Sequence, residues 1–204
     1  MRRRLDSVQE TRERIIRAAF ELHRDVGPAQ ATVKAIAERA GVERHTVQRH
    51  FPDLVELIRA CTDFGMRTTG LPEPDHWHRL KEPTELLRVA LDEMYRYWHR
   101  NEQLVANLMR DAATMPELVE GSASYREHLA RIWQTVLAPW RQDPGQAGTR
   151  AAAVAGTALG FTTWRSLTIE HGLSDEDAVG AMVQAVTSVA GSARPSVPQP
   201  VGKS

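Results

Sequence analysis

Residues Thr32–Phe51 read T-V-K-A-I-A-E-R-A-G-V-E-R-H-T-V-Q-R-H-F, and no other stretch narrows the possible folds as far. Val33, Ile36, Ala37 and Ala40 recur three or four residues apart and so share one helical face. Gly41 follows them, able to take the left-handed backbone conformation that ends a helix at low cost. Val42 fits the angle beyond the turn, and a second short helix over Glu43–His50 carries Val47 and then Phe51 inward. Its outer face is left with Arg44, His45, Thr46, Gln48, Arg49 and His50, all hydrogen-bonding side chains. An apolar back with a polar, cationic front suits the second helix of a helix-turn-helix. Paired amphipathic helices also build ordinary helical cores. Ala37, Gly41 and Val42 in register with that front favour a nucleic-acid reader.

Formal net charge is zero over 204 residues, which taken alone argues against a nucleic-acid partner. The distribution answers this. Residues 1–62 hold twelve basic and nine acidic residues, and the remainder holds fourteen and seventeen. A basic end on a balanced chain suits a protein that touches DNA with one part only. The N-terminal Arg2-Arg3-Arg4 run reads equally as a minor-groove arm or a solvated terminus. With no apolar run behind it, it is not a secretory signal. No stretch approaches the roughly 20 apolar residues of a membrane span, so a cytoplasmic location is expected. Cys61, the one cysteine, lies in an apolar helical pattern and reads as a small core residue.

The rest of the chain is punctuated helix. A first helix spans 6–26, with Ile15, Ile16, Ala19, Phe20, His23 and Val26 on its inward face, and Gly27-Pro28 stops it. Thr32 is placed to cap the second helix, and Asp53, after Pro52, a fourth over 54–68. Gly70, Pro72, Pro74 and Pro83 mark the main break. Further helices fall near 84–99, 102–114, 117–142, 149–171 and 175–191, about nine in all, with Pro139 bending or ending its helix. No run alternates with period two, so the expected class is all-α. The expected division is a helix-turn-helix domain over 1–52, a connector helix over 53–69, a larger domain over 70–191 and a disordered tail over 192–204.

Catalytic and metal signatures are absent from the sequence. No Ser-His-Asp arrangement, phosphate-binding glycine loop or H-E-x-x-H run appears. His76-Trp-His78 is a pair without a third or fourth ligand at a telling spacing. Glu127-His128 and Glu170-His171 read as exposed helix pairs. No enzyme activity, metal or cofactor is expected.

The layout resembles the TetR family of bacterial transcriptional regulators. The resemblance rests on residues 12–61: R-E-R-I-I-R-A-A-F-E-L-H-R-D-V-G, then T-V-K-A-I-A-E-R-A-G-V, then H-T-V-Q-R-H-F-P-D-L-V-E-L. It covers about a quarter of the chain, and beyond it only length and helical plan agree. It implies that Thr32, Thr46 and His50 contact phosphates and that Arg44, His45 and Arg49 face the major groove, with Lys34 reaching base edges or backbone. Two positions depart from the pattern. Gln48 stands where most members place a phosphate-bonding tyrosine, and Leu54 where they place a lysine. Gln48 retains a donor; Leu54 does not replace a cation.

The larger half is expected to dimerise and to bind a small molecule. Ala152, Ala155, Gly156 and Leu159 give one helix a small-residue flank, and Val179, Met182, Val183 and Val186 give the last helix an apolar stripe. In the family, two such helices from each subunit form a four-helix bundle; such stripes also build monomer cores. The resemblance also implies an inducer pocket, for which Met94, Trp98, Met109, Trp133, Phe161 and Trp164 are candidate walls. Asn107 is a candidate polar contact, with Arg110 and Thr157 behind it. The implied function is a homodimeric regulator on a palindromic double-stranded operator, a repressor released by a small, largely apolar or aromatic effector. The alternatives are an effector-independent DNA-binding protein and a helical enzyme with an incidental helix-turn-helix.

Overall fold

The computed structural model describes residues 2–142 and 146–191, and among these all regular structure is helical, with no strand. The helices are α1 (Arg2–Asp25), α2 (Val33–Ala40), α3 (Arg44–His50), α4 (Leu54–Thr68), α5 (Pro83–Arg100) and α6 (Glu102–Ala112). They continue as α7 (Pro116–Gly121), α8 (Ala123–Arg141), α9 (Gln146–Ala158), α10 (Phe161–Arg165) and α11 (Asp175–Gly191). No helix among the described residues is long and apolar enough to cross a membrane. The expected tail over 192–204 and the Arg2-Arg3-Arg4 side chains lie outside what is described.

The short N-terminal helices begin and end as their sequence dictates. Thr32 Oγ1 accepts the Ala35 amide at 3.2 Å, and Asp53 Oδ1 accepts that of Val55 at 2.9 Å. Each satisfies one of the orphan donors of a first turn. Gly41 ends α2 at φ +64°, where a Cβ is unfavourable. Ile15, Ala19, Ile36, Ala37, Val47 and Phe51 close a core with Leu57 and Cys61 of α4. Val26, expected on the inward face, is exposed, because α1 ends at Asp25 and the turn carries Val26 off the helical repeat.

Among the described residues eleven α-helices stand where about nine were expected, because two long patterns are broken. The segment 117–142 divides at Ser122. Gly121 there lets α7 close on α4: a Cβ would sit 2.6 Å from Ile58 Cγ2 and 3.1 Å from the Val55 carbonyl oxygen. The segment 149–171 divides at Gly160, whose extended backbone caps α10. Periodicity persists across both breaks, so the sequence pattern alone joins them. Pro139 lies within the last turn of α8, which ends at Arg141.

The chain groups into two compact units, residues 1–76 with 93–132, and residues 77–92 with 133–204. In the second, α9 packs on α11, and Trp77, inside a short 3-10 turn over Pro74–Arg79, is fully buried. The Trp164 indole N–H donates to Asp175 Oδ1 at 3.0 Å and fixes the first residue of α11.

In the first unit α6 holds the end of α1 through polar groups. Asn107 Nδ2 donates to the carbonyl oxygens of His23 at 3.3 Å and Arg24 at 2.8 Å. Arg110 Nη2 donates to that of Val26 at 3.0 Å, and Asp111 Oδ2 accepts the Ala29 amide at 2.9 Å. The Asn107 amide thus pairs carbonyls that the last turn of α1 leaves without helical partners, while Arg110 and Asp111 pair a carbonyl and an amide of the turn beyond it. Burial alone would raise the Asp111 pKa; the Arg110 guanidinium and the Ala29 amide outweigh it and hold the carboxyl below its usual range. His23, on the same end of α1, is lowered to about 4, because burial disfavours the imidazolium more than nearby Asp111 favours it.

A folded-state pKa below the unfolded value means that the unfolded chain takes up the proton first as pH falls. The stability given by the neutral His23 ring is complete above about pH 6.5 and is lost as pH falls towards about 4. The shift corresponds to about 3 kcal/mol. Urea unfolding from about pH 7 to about pH 4.5 should therefore show a steep loss of stability in the wild type. His23→Gln should flatten that slope by most of the same amount; an equally steep slope would locate the titrating group elsewhere.

Candidate functional site

The outer face of α3 follows from which of its residues the core claims. Val47 is buried, so Arg44, His45, Gln48 and Arg49 lie exposed around the front, with Thr46 and His50 half-buried at its edge. Lys34 and Thr32 are exposed beside them on α2 and its cap. The Lys34–Glu38 pair at 3.8 Å is open to solvent on both sides and leaves the ammonium free for another partner. Thr32 Oγ1 accepts a hydrogen bond in its cap, and its own proton remains available to a phosphate oxygen. Partial burial, followed by the charges of Arg49 and Arg12, lowers the His50 pKa, so it meets a ligand as a neutral ring. Arg12 of α1 lies over the Phe51 ring at 4.2 Å and pairs with Glu56 at 3.3 Å, fixing the end of α3 against α1 and α4. Leu54 is 44% exposed, so the position at which the resemblance implies a lysine presents an aliphatic surface to solvent.

A cavity lies inside the first unit, bounded by α1 and α4 to α8, with room for the centres of water molecules over about 60 Å³. Its walls are chiefly apolar, from Phe20, Ile58, Met66, Leu104, Leu108 and Leu118. Polar groups enter from His23, Thr62, Thr69, Tyr97, Ser122 and Tyr125. Cys61 also faces it, but burial raises its thiol to about 12, which removes the nucleophilic thiolate at neutral pH. The Tyr97 hydroxyl donates to that of Tyr125 at 3.4 Å. Burial is the main cause that holds both phenols above their usual range, so both stay protonated.

None of the seven residues expected to form a ligand pocket lines this cavity. Met94, Trp98, Phe161 and Trp164 are closely packed core, and Met109 is 51% exposed. The Trp133 indole N–H donates to the Gly156 carbonyl at 3.0 Å. Asn107 and Arg110 hold the end of α1, and Thr157 donates to the Ala153 carbonyl of its own helix. Of the eight residues expected at a dimer interface, Ala152, Ala155, Leu159, Val179, Val183 and Val186 are buried within the chain itself, where α9 meets α11. Gly156 and Met182 are half-buried.

His128, expected at the surface, is buried. Arg131 donates to its Nδ1 at 2.8 Å, so Nε2 carries the proton and donates to the Pro72 carbonyl at 2.7 Å. A single residue pair carried no sign of that long-range partner. His76 pairs with Glu93 at 2.9 Å, and among the described residues no group of three or more His, Cys, Asp or Glu side chains is placed to hold a metal. The missed cavity residues had only a weak sequence signal. Phe20 stood on the inward face expected of the first helix, and Leu104 and Leu108 lie in the helix expected near 102–114, but the cavity arises from how those helices meet.

Residues 15–61 match the family of bacterial regulatory proteins described as the tetR family. The HTH-type transcriptional regulator TtgR of Pseudomonas putida is 41% identical over 63 residues. That match covers 31% of this chain and 30% of TtgR, so the chain spans less than a third of that relative's length. A transcriptional regulator from Rhodococcus sp. Rha1 aligns in structure with TM-score 0.59 at 22% identity, over 87% of this chain and 96% of that one. The regulator FadR from Bacillus subtilis, solved in complex with stearoyl-CoA, aligns with TM-score 0.65 at 15% identity, over 87% and 98%. At those identities the two structures establish a shared fold alone. Residues 15–61, with the capped helix-turn-helix they form, are thus similar to the N-terminal part of the tetR family, and the all-helical chain shares its fold with these two regulators.

Proposed function

We propose that the protein is a DNA-binding transcriptional regulator that responds to a small molecule, acting as a repressor on a palindromic operator. The observation that carries this reading is the front of α3: four exposed hydrogen-bonding side chains, two of them arginines, over a back sealed by Val47. Arg44 and His45 are the base readers, with Lys34 beside them. An arginine can bridge the O6 and N7 acceptors of guanine, worth about 1–3 kcal/mol against a wrong base. Thr32, Thr46, His50 and Arg49 hold phosphates, which fixes register without reading sequence. Gln48 supplies a weaker donor there.

One α3 covers only a few base pairs, so useful specificity requires two copies related by symmetry. The proposed homodimer uses the outward faces of α9 and α11, where Gly156 and Met182 remain accessible beside exposed Thr157, Gln184 and Ser188. The reading keeps residues 1–52 as the DNA-contacting part, 53–69 as connector and 70–191 as the part that dimerises. No catalytic role is assigned. The effector site is assigned to the cavity of the first unit, because α1 and α4 form part of its wall. A ligand there changes DNA affinity to the extent that it binds the operator-competent and released conformations unequally. That another protein of this fold holds stearoyl-CoA supports a small-molecule role for the fold.

Binding to DNA selected from a random pool tests the reading. Arg44→Ala should reduce the preference for selected over scrambled DNA by roughly 1–3 kcal/mol, whereas Thr32→Ala should weaken both by similar factors. Equal loss on both for Arg44→Ala would remove it as a base reader. Leu54→Lys should strengthen binding to every sequence and steepen the salt dependence by about one unit of slope. An unchanged slope would show that position 54 lies off the backbone path.

A further inference from the structure

The cavity of the first unit has a chemical character narrower than its apolar walls alone dictate. His23 is 5% exposed and lines it, and its imidazole makes no hydrogen bond within the described residues, yet it is not among the sealed, unpartnered polar atoms, so the ring borders the space a guest would fill. A second polar group is the end of a hydroxyl chain. The Tyr97 hydroxyl donates to that of Tyr125 at 3.4 Å, and Thr69 spends its own proton on the Gly65 carbonyl at 2.8 Å. Tyr125, having accepted from Tyr97, keeps its own proton to donate to the oxygen of a guest.

Charge is excluded from the same space. No Asp, Glu, Lys or Arg lines the cavity, both phenols are protonated, and the His23 ring is neutral at physiological pH. An ion entering would lose its hydration with no counter-charge to meet it. Arg17, Arg24 and Arg100 line an adjoining open groove, which shares Phe20, Thr69 and Leu104 with the cavity. All three are exposed, Arg24 is already paired with Asp25, and Glu21 lies among them, so they do not form a built anion site. The volume limits the guest to about the size of one substituted ring unless wall side chains move.

We propose that this cavity binds a compact, uncharged, largely apolar molecule of the phenol or small-alcohol class, whose hydroxyl is met by His23 and Tyr125. The proposal rests on the effector reading of the same cavity and gives that effector a chemical class.

Calorimetric titration of the full chain near neutral pH tests it, with 4-ethylphenol, ethylbenzene, hexanoate and benzyltrimethylammonium as probes. 4-Ethylphenol should bind roughly fivefold or more tightly than ethylbenzene, the ratio expected of one net hydrogen bond, and the two ions should bind more weakly still. Tyr125→Phe removes only a hydroxyl and should narrow the phenol-to-hydrocarbon ratio while leaving ethylbenzene affinity within about twofold. Thr62→Leu, which narrows the cavity, should weaken both neutral probes. An unchanged ratio in a folded Tyr125→Phe protein overturns the proposal, as does tighter binding of hexanoate or of the quaternary cation, or no binding of either neutral probe. Affinity for selected DNA is measured in the same samples. Binding of 4-ethylphenol that leaves DNA affinity unchanged supports the site and overturns the effector reading. Intact DNA binding without uptake of either neutral probe overturns the site alone.

Discussion

The end of α1 is the place on which the first unit depends. A helix that stops leaves carbonyls without partners, and inside a protein each must be paired. Here the partners come from a helix more than eighty residues further along the chain: Asn107 and Arg110 donate to carbonyls of residues 23–26, and Asp111 receives the Ala29 amide. Gly27, between them, has φ +96° and gives Arg110 and Asp111 their room, since a Cβ there would collide with both. The polar contacts also fix direction, because amide and guanidinium must meet particular oxygens. Hydrophobic packing alone would leave α6 freer to slide along α1.

That arrangement gives the cavity its meaning. Leu104 and Leu108 of α6 line it, while Asn107 and Asp111, on another face of the same helix, hold α1. Phe20 and His23 of α1 are cavity wall, and Ile15, Ala19 and Leu22 of the same helix are core for α2 and α3. A guest that displaces α6 or α1 by a fraction of an ångström therefore acts on groups that also position the exposed front of α3. Close-packed interiors transmit such shifts because they have little slack. The route is short, and both ends lie in one compact unit.

The N-terminal helices were readable from sequence nearly residue by residue because their determinants are local. Thr32, Gly41 and Asp53 act on amides and torsions within a few positions of themselves, and Val33, Ile36, Ala37 and Ala40 bury one face whatever the distant chain does. The limits appear where meaning depends on remote partners. Asn107 looked like a ligand contact because nothing local marks an amide that will bond to His23 and Arg24. His128 looked exposed because its partner is the Pro72 carbonyl, 56 residues away. The aromatic stripes were correctly helical, yet their spacing does not distinguish filled core from cavity wall. Trp98 and Trp164 became core, while Tyr97 and Tyr125 meet at the cavity with their hydroxyls together.

The same distinction bears on DNA recognition. The first turn of α3 is held by backbone alone: the Glu43 carbonyl accepts the Thr46 amide at 2.9 Å, while the Glu43 side chain makes no cap bond. Where Gln48 and Leu54 stand in place of the tyrosine and lysine that the resemblance implies, the proposed phosphate contacts rest on Thr32, Thr46, Arg49 and His50. On the proposed reading, backbone anchoring lies at the start of α2 and along α3 rather than at the start of α4. With no cation at position 54 to meet a phosphate, a larger share of the binding free energy then rests on base contacts by Arg44 and His45.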